Sequence, residues 1–348
     1  MLAARITGVG RYLPERVLTN HELATMVDTS DEWIVERSGI RERRIAAPDE
    51  TSSTLGTQAA LAALESAQVD PADIDLVLTG TCTPDGMFPS TSTLIQHAIG
   101  APHAGAFDIN AACNGFLSAL HAGAQFIATG SSKKVLVVGA ETMSRIVDWS
   151  DRTTCVLFGD GAGAVVLEPV EPGGPGGVVS ARLRSDGAQA DLLYVPGPAS
   201  ARPDGAPQPD ARLVMDGRGI FRSAVTAMSR EAERVIVDAG LTIDDIALCV
   251  PHQANLRILN AMAKSLGLPI ERVYINLERY GNTSSATIPI ALAEATAEGR
   301  LKPGDKVLFA AFGGGLSWGA MVMEWSGVRT RPDLTIPELS AATASTAL

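Results

Sequence analysis

Gly163-Ala164-Val165-Val166-Leu167-Glu168 and Gly319-Ala320-Met321-Val322-Met323-Glu324 read as one strand written twice, 156 residues apart. Each is a short apolar run closed by a glutamate, the pattern of a strand covered on both faces. Working outward, Ala67, Asp73, Ile74 and Leu76 meet Ala239, Asp245, Ile246 and Leu248 at a spacing of 172, and Val135 and Leu136 meet Val307 and Leu308 at the same spacing. Unrelated helix–strand units do not hold one spacing over two separated blocks. The sequence therefore predicts a duplicated α/β unit. The first copy carries an extra 16 residues, placed most simply within 142–158.

Around this frame, Ile6–Tyr12 and Ile74–Gly80 read as strands, and 51–67 as a long helix. Thr29–Arg37 reads as a short helix capped at Ser30, and Gly39–Arg44 as a basic turn. Pro89-Ser90-Thr91 opens a further helix. Residues 171–177 and 196–210 are Pro/Gly-rich connections. The expected organisation is an N-terminal half over 1–172, a C-terminal half over 173–325 and a surface tail over 326–348.

The 348 residues are 46 % hydrophobic and 19 % charged, which suits large cores and argues against disorder. A net charge of −11 argues against a nucleic-acid partner. Cys82, Cys113, Cys155 and Cys249 show no CxxC spacing, so neither a zinc site nor a disulfide framework is expected. There is no signal-peptide pattern and no apolar run long enough to span a bilayer, and the reading is a cytoplasmic protein.

Four stretches carry candidate chemistry. In Phe107-Asp108-Ile109-Asn110-Ala111-Ala112-Cys113-Asn114-Gly115-Phe116, a cysteine stands at the first turn of an apolar helix. Free N–H groups and the helix dipole there favour a thiolate, although a cysteine among small residues is ordinarily a compact core residue. His252 ends the apolar run Ile246–Val250, where α/β folds deliver side chains into clefts. Asn282, in Tyr280-Gly281-Asn282-Thr283-Ser284-Ser285-Ala286, offers an amide ahead of a helix, or simply a turn with a cap. Phe312-Gly313-Gly314-Gly315 opens backbone N–H groups to an oxyanion, or forms a tight hairpin.

Taken in order, AACNGF, PHQAN, YGNTSSAT and FGGGLSWG resemble the β-ketoacyl-acyl-carrier-protein synthase III family of the thiolase superfamily. DTSDEWIVERSGIRERR and GDGAGAVVLE are similar to the same family, so the resemblance runs from about Arg5 to Trp325. It implies a duplicated five-layer αβαβα fold and a homodimer. It also implies condensation of a short acyl-CoA, acetyl-CoA foremost, with malonyl on acyl carrier protein, the first step of fatty-acid synthesis. Carried over, Cys113 is the nucleophile, with its own N–H and that of Gly314 as the oxyanion site. His252 and Asn282 promote decarboxylation by donating to the enolate oxygen. Trp33, Arg37 and Arg152 hold the adenine end of CoA, a stack suited to a purine. Gly217, Phe221 and Phe312 line the substrate tunnel. Phe88 reaches across the dimer to the partner's acyl pocket, and with Leu157 it favours a short primer. Arg222, Arg257 and Lys264 form a docking patch for the acidic carrier protein; Arg257 and Lys264, seven apart, share a helix face. No metal or redox cofactor is required.

Arg218, where the family often has Asn, and Asn114, where Ser or Ala is expected, depart from the pattern. Three other readings compete: an acyltransferase or polyketide-priming enzyme of secondary metabolism, a non-catalytic partner subunit, and thiolase itself. The presence of Cys113 weighs against the second. The third calls for a second active cysteine, and none follows Cys249.

Overall fold

The computed structural model describes residues 3–170, 174–197 and 212–328. The 171–173 part of the first Pro/Gly connection, most of the second and nearly all of the tail lie outside these residues. The strands are β1 (Ala3–Tyr12), β2 (Arg16–Thr19), β3 (Glu42–Ile45), β4 (Leu76–Gly80), β5 (Gly105–Ile109), β6 (Val135–Thr142), β7 (Asp160–Val170), β8 (Gly177–Ser185), β9 (Leu193–Tyr194), β10 (Val214–Met215), β11 (Ile246–Pro251), β12 (Lys306–Gly313) and β13 (Ser317–Glu324). The helices are α1 (Asn20–Leu23), α2 (Asp31–Ser38), α3 (Ser52–Ala67), α4 (Thr91–Ala98), α5 (Gly115–Ala128), α6 (Gly217–Asp238), α7 (Leu256–Leu266), α8 (Leu277–Tyr280) and α9 (Thr287–Ala297).

Two sheets carry the architecture. One runs β1-β7-β6-β4-β5, and the other, read from the matching edge, β8-β13-β12-β11. The pairing senses agree: parallel for β4–β6 and β11–β12, antiparallel for β6–β7 and β12–β13, and antiparallel again for β1–β7 and β13–β8. Where the first sheet adds β5, the second has a single parallel bridge from Cys249 to Val273.

Strand side chains alternate between faces, and the repeat keeps that alternation in step. Val135, Val137, Val165 and Leu167 enter the core between the sheets, as do Val307, Phe309, Met321 and Met323. Their neighbours Leu136, Val138, Ala164 and Val166 pack outward with residues of α3 and α4. Leu308, Ala310, Ala320 and Val322 pack outward with α6 and α7. α5 and α9 fill the middle through Phe116, Leu117, Leu120, Ile288, Ala291 and Leu292. The layers run helix, sheet, helix, sheet, helix: the five-layer αβαβα fold of the thiolases.

The two middle helices start alike. A 3-10 turn, Ala112–Asn114, leads into α5, and another, Ser284–Ala286, leads into α9. Each begins with a left-handed non-glycine residue, Ala112 at φ 46° and Ser284 at φ 51°, and these two positions are 172 apart. Both turns press against strand ends. A Cβ on Gly80 would lie 2.4 Å from the Gly115 carbonyl carbon, and one on Gly139 would lie 2.6 Å from the Ser285 carbonyl oxygen.

The halves differ where the sequence carries its extra residues. β6 and β7 are joined by 143–159, whereas β12 and β13 are joined by 314–316 alone. The supposed basic turn at 39–44 is corrected: Glu42–Ile45 is β3, paired antiparallel with β2. Arg43 is fully buried and donates to the carbonyls of Leu18 (3.1 Å) and Val156 (2.7 Å) and to Asn20 Oδ1 (2.8 Å). Oxygen acceptors fixed by the fold replace the water that an arginine run normally seeks.

Gly139→Ala should lower stability by roughly 1–3 kcal/mol, because the methyl meets backbone rather than a side chain able to turn away. The urea midpoint measures this; an unchanged midpoint would mean that the α9 turn gives way freely.

Candidate active site

A cavity of about 830 Å³ opens between the halves. Cys113, His252, Asn282, Leu157 and Phe312 line it, as do Trp33, Arg37, Gly217, Phe221, Arg222 and Arg257. Arg152, Gly314, Phe88 and Lys264 do not.

Cys113 sits in the 3-10 turn before α5, with 8 % of its surface exposed. Gly313 backs it: a Cβ there would lie 2.6 Å from the Cys113 nitrogen and 3.0 Å from that of Asn114. Gly314 instead lies beside the Leu193 carbonyl and Ala112. Burial pushes the Cys113 thiol up to about 12; a Ser284 hydrogen bond and a backbone N–H pull down, and Glu141 adds to the rise. The expected helix-end thiolate is therefore corrected. At neutral pH the resting group is a thiol, because loss of water outweighs the helix terminus.

His252 follows β11 and is held by its backbone N–H to the Ala310 carbonyl, 2.8 Å. Its Nδ1 lies 2.7 Å from Thr287 Oγ1. Burial lowers its pKa to about 3, so the ring is neutral. Asn282 is stitched to the 143–159 connection: its N–H donates to the Leu157 carbonyl (2.8 Å) and its carbonyl accepts from Gly159 (3.1 Å). Its Oδ1 accepts from the Ser284 N–H at 2.8 Å, which assigns the amide and leaves Nδ2 as the donor.

Sequence reasoning missed Glu141. Its carboxylate is fully buried and accepts from the N–H groups of Cys82 and Thr83 (3.1 Å each) and the hydroxyls of Thr83 (2.6 Å) and Ser285 (2.8 Å). Those partners are neutral. The available signal was a glutamate closing the apolar run of β6.

At the rim, α2 carries Trp33, its N–H capped by Ser30 Oγ at 3.2 Å. The guanidinium carbons of Arg37 and Arg152 lie 4.4 and 5.2 Å from the Trp33 ring centroid. Arg152 also donates to the Asp28 carbonyl (2.7 Å) and carboxylate (3.0 Å). Arg257 lies 5.9 Å from the Phe221 ring, and Lys264 is exposed on the same helix, α7. Phe88 projects outward, 84 % exposed, next to Met87. A second hollow of about 530 Å³ shares Arg222 and Phe312 with the first and adds Arg184, Arg230 and Arg234. Glu231 lines the same hollow and pairs with Arg234 (2.8 Å) and Arg184 (4.0 Å), which offsets part of this charge; the three arginines were not singled out from the sequence, being spread over β8 and α6. Among the described residues, no cluster of three or more His, Cys, Asp or Glu suits a metal ion, and no helix is long and apolar enough to cross a membrane.

The duplicated five-layer fold, with a cysteine heading one middle helix and a histidine and an asparagine beside the other, places the chain in the thiolase superfamily. Residues 107–187 match the family described as 3-oxoacyl-[acyl-carrier-protein (ACP)] synthase III, and residues 236–325 match its C-terminal part. The β-ketoacyl-[acyl-carrier-protein] synthase III of Erythrobacter litoralis is 51 % identical, over 93 % of this chain and 100 % of that protein. The solved 3-oxoacyl-[acyl-carrier-protein] synthase III of Aquifex aeolicus is 46 % identical, covers 92 % of this chain and 100 % of its own, and superposes with a TM-score of 0.86. A priming β-ketosynthase from the R1128 polyketide pathway is 40 % identical, over 93 % of this chain and 97 % of its own, also at 0.86. The chain belongs to the β-ketoacyl-acyl-carrier-protein synthase III family.

The depressed His252 pKa has a stability consequence. Between about pH 6.5 and 3 the unfolded chain binds a proton at this residue that the folded chain refuses. Stability therefore falls as pH drops through that window, with a limiting slope of about 1.4 kcal/mol per pH unit. His252→Gln removes the titration, so urea unfolding of the variant should be less steeply acid-sensitive than wild type below pH 6. Parallel profiles would show the ring to be accessible to protons.

Proposed function

We propose that this protein performs the decarboxylative Claisen condensation that starts fatty-acid synthesis, joining a short acyl-CoA to malonyl on acyl carrier protein. The observation that carries it is the convergence of a buried thiol, a neutral histidine and an oriented asparagine amide on one cavity with a guanidinium–indole rim. In the first step Cys113 Sγ attacks the acyl-CoA carbonyl. The N–H groups of Cys113 and Gly314 receive the oxyanion, and the thiol proton leaves with the CoA sulfur. In the second, the malonyl C–CO₂ bond breaks and its electron pair moves toward the thioester oxygen, where His252 and Asn282 donate hydrogen bonds. The resulting carbon attacks acyl-Cys113, and the released thiolate is reprotonated from solvent. Thioester exchange and decarboxylation are redox-neutral, so the reading needs no redox cofactor.

Trp33, Arg37 and Arg152 are proposed to clamp the CoA adenine, and Gly217, Phe221 and Phe312 to line the pantetheine path. Phe88 and Met87 suit an interface with a second copy of this chain, with Phe88 closing that copy's acyl pocket opposite Leu157. The halves 1–172 and 173–325 then supply the nucleophile and the donor pair respectively. Similarity to a priming β-ketosynthase favours polyketide priming as the second reading, in which the chemistry is the same and the primer differs.

Intact mass after mixing with acyl-CoA esters from acetyl to decanoyl tests this. Acetyl should add to Cys113, not to Cys113→Ala, and be released with CO₂ and a β-ketoacyl product when malonyl carrier protein is added. Turnover rising with chain length would reject the short-primer pocket, and acyl release only to an alcohol or amine would reject condensation.

Arg222, Arg257 and Lys264, with the neighbouring arginines, are proposed to dock the acidic carrier protein. Arg257→Glu should raise the carrier-protein KM by about tenfold or more while sparing acyl transfer from CoA. Equal losses in both would remove the docking role.

A further inference from the structure

We propose that Thr287 is a positioning residue that fixes the tautomer of His252: its hydroxyl donates to Nδ1, so that the neutral ring presents Nε2–H to the cavity. This rests on the reading of His252 and Asn282 as the donor pair for decarboxylation.

Thr287 is the first residue of α9. Its Oγ1 lies 2.7 Å from His252 Nδ1 and 3.0 Å from the Ser284 carbonyl oxygen. Two arrangements fit these contacts: the hydroxyl donates to Nδ1, or the ring donates from Nδ1 and the hydroxyl donates on to the Ser284 carbonyl. The Ser284 carbonyl already accepts the backbone N–H of Thr287, whereas Oγ1 is the partner that Nδ1 has. Sending the hydroxyl proton to Nδ1 leaves no group of this set without a partner, because the carbonyl keeps its backbone donor. Both distances lie within hydrogen-bond range for either arrangement, so what Nε2 must do in the cavity decides between them. The opposite arrangement puts the ring proton on Nδ1 and turns a bare Nε2 lone pair toward the cavity. A lone pair there would repel the oxygen on which the decarboxylation develops charge, while an N–H stabilises it. The ring stays neutral in its buried setting, so its tautomer decides what the substrate meets.

The duplicated fold supplies an internal comparison. At the spacing of 172, His252 corresponds to Gly80 and Thr287 to Gly115. In the first half these positions are two glycines in contact, with no room for a Cβ on Gly80. In the second half the same facing positions hold a histidine and its hydrogen-bonded threonine. The pair is thus a specialisation of the half that carries the donors, not a packing requirement of the fold.

Electrons and protons balance without transfer through Thr287. The C–CO₂ pair moves toward the thioester oxygen, CO₂ leaves, and Nε2–H donates throughout but keeps its proton.

The test has two arms. In full-length protein labelled with ¹⁵N-histidine, ring correlation spectra should show His252 protonated at Nε2; protonation at Nδ1 would overturn the proposal whatever the activity. In Thr287→Val, kcat for decarboxylation of malonyl carrier protein should fall on the order of a hundredfold with little change in KM. Acylation of Cys113 by acetyl-CoA should stay within about threefold, and Thr287→Ser should restore both. Equal loss in the two half-reactions, or loss in neither, would leave Thr287 a packing residue and refute the proposal. Wild-type protein that never decarboxylates malonyl carrier protein would refute the functional reading instead, and the tautomer spectrum would still decide this one.

Discussion

The Glu141 carboxylate ties the two halves of the site together. It ends β6 in the first half, and it holds both the 81–83 segment and Ser285 in the turn that opens α9. A buried carboxylate without a cation is tolerated only when hydrogen bonds replace its water, and here N–H and hydroxyl donors converge on it from both halves. The same turn carries Asn282 on one side and Thr287 on the other. The placement of Asn282 and of Thr287, which contacts His252, is therefore tied to a carboxylate that does not itself line the cavity. That charge also lies close enough to Cys113 to raise its thiol.

Within the cavity, burial is the dominant electrostatic fact. Moving a thiol from 9.0 to about 12 corresponds to roughly 4 kcal/mol against the thiolate. A helix N-terminus offers at most about 2 kcal/mol toward it. The larger effect wins, so Cys113 rests as a thiol in the same cavity as a neutral imidazole and a neutral amide. Among the residues lining the cavity, formal charge is confined to the rim, in Arg37, Arg218, Arg222 and Arg257, while the Glu141 carboxylate lies behind the wall. A neutral interior with a cationic mouth suits thioester substrates, whose reacting carbonyl is uncharged while their handles are anionic.

The duplication was legible because strand repeats preserve faces as well as composition. Val135 and Val307, or Val165 and Met321, enter the same central core, so one spacing carried both element type and orientation. Cys113, His252 and Asn282 could be singled out because each ends a recognisable local pattern, and the structure brings all three to one cavity. Arg43 was misread because a run of arginines looks solvated, and nothing local announces that the Leu18 and Val156 carbonyls will surround it. Glu141, Ser284 and Thr287 were missed for a related reason. Their roles lie in partners 35 to 144 residues away or in other turns, and such partnerships leave no periodicity. Arg230 and Arg234 of α6 escaped because an amphipathic helix reads as core plus solvated face until a neighbouring strand, β8, brings Arg184 to the same hollow.

Two copies of one unit make an active site only by ceasing to be alike. The spacing of 172 pairs Cys113 with Ser285, Asn110 with Asn282 and Glu141 with Gly313. Each asparagine Oδ1 accepts from the N–H two residues on, at 3.4 Å for Asn110 and 2.8 Å for Asn282, so the turn itself is common property. What differs is the strand end each turn faces. Ser285 meets Glu141, which fills the space and locks the turn. Cys113 meets Gly313, where a Cβ would crowd the Cys113 backbone nitrogen and its absence leaves that N–H approachable. The connection 143–159 completes the asymmetry by giving Leu157 and Phe158 to the cavity wall, where the second half has only the hairpin 314–316. One half thus became the support and the other the opening, and a carboxylate in place of a glycine at matching strand ends is what separates them.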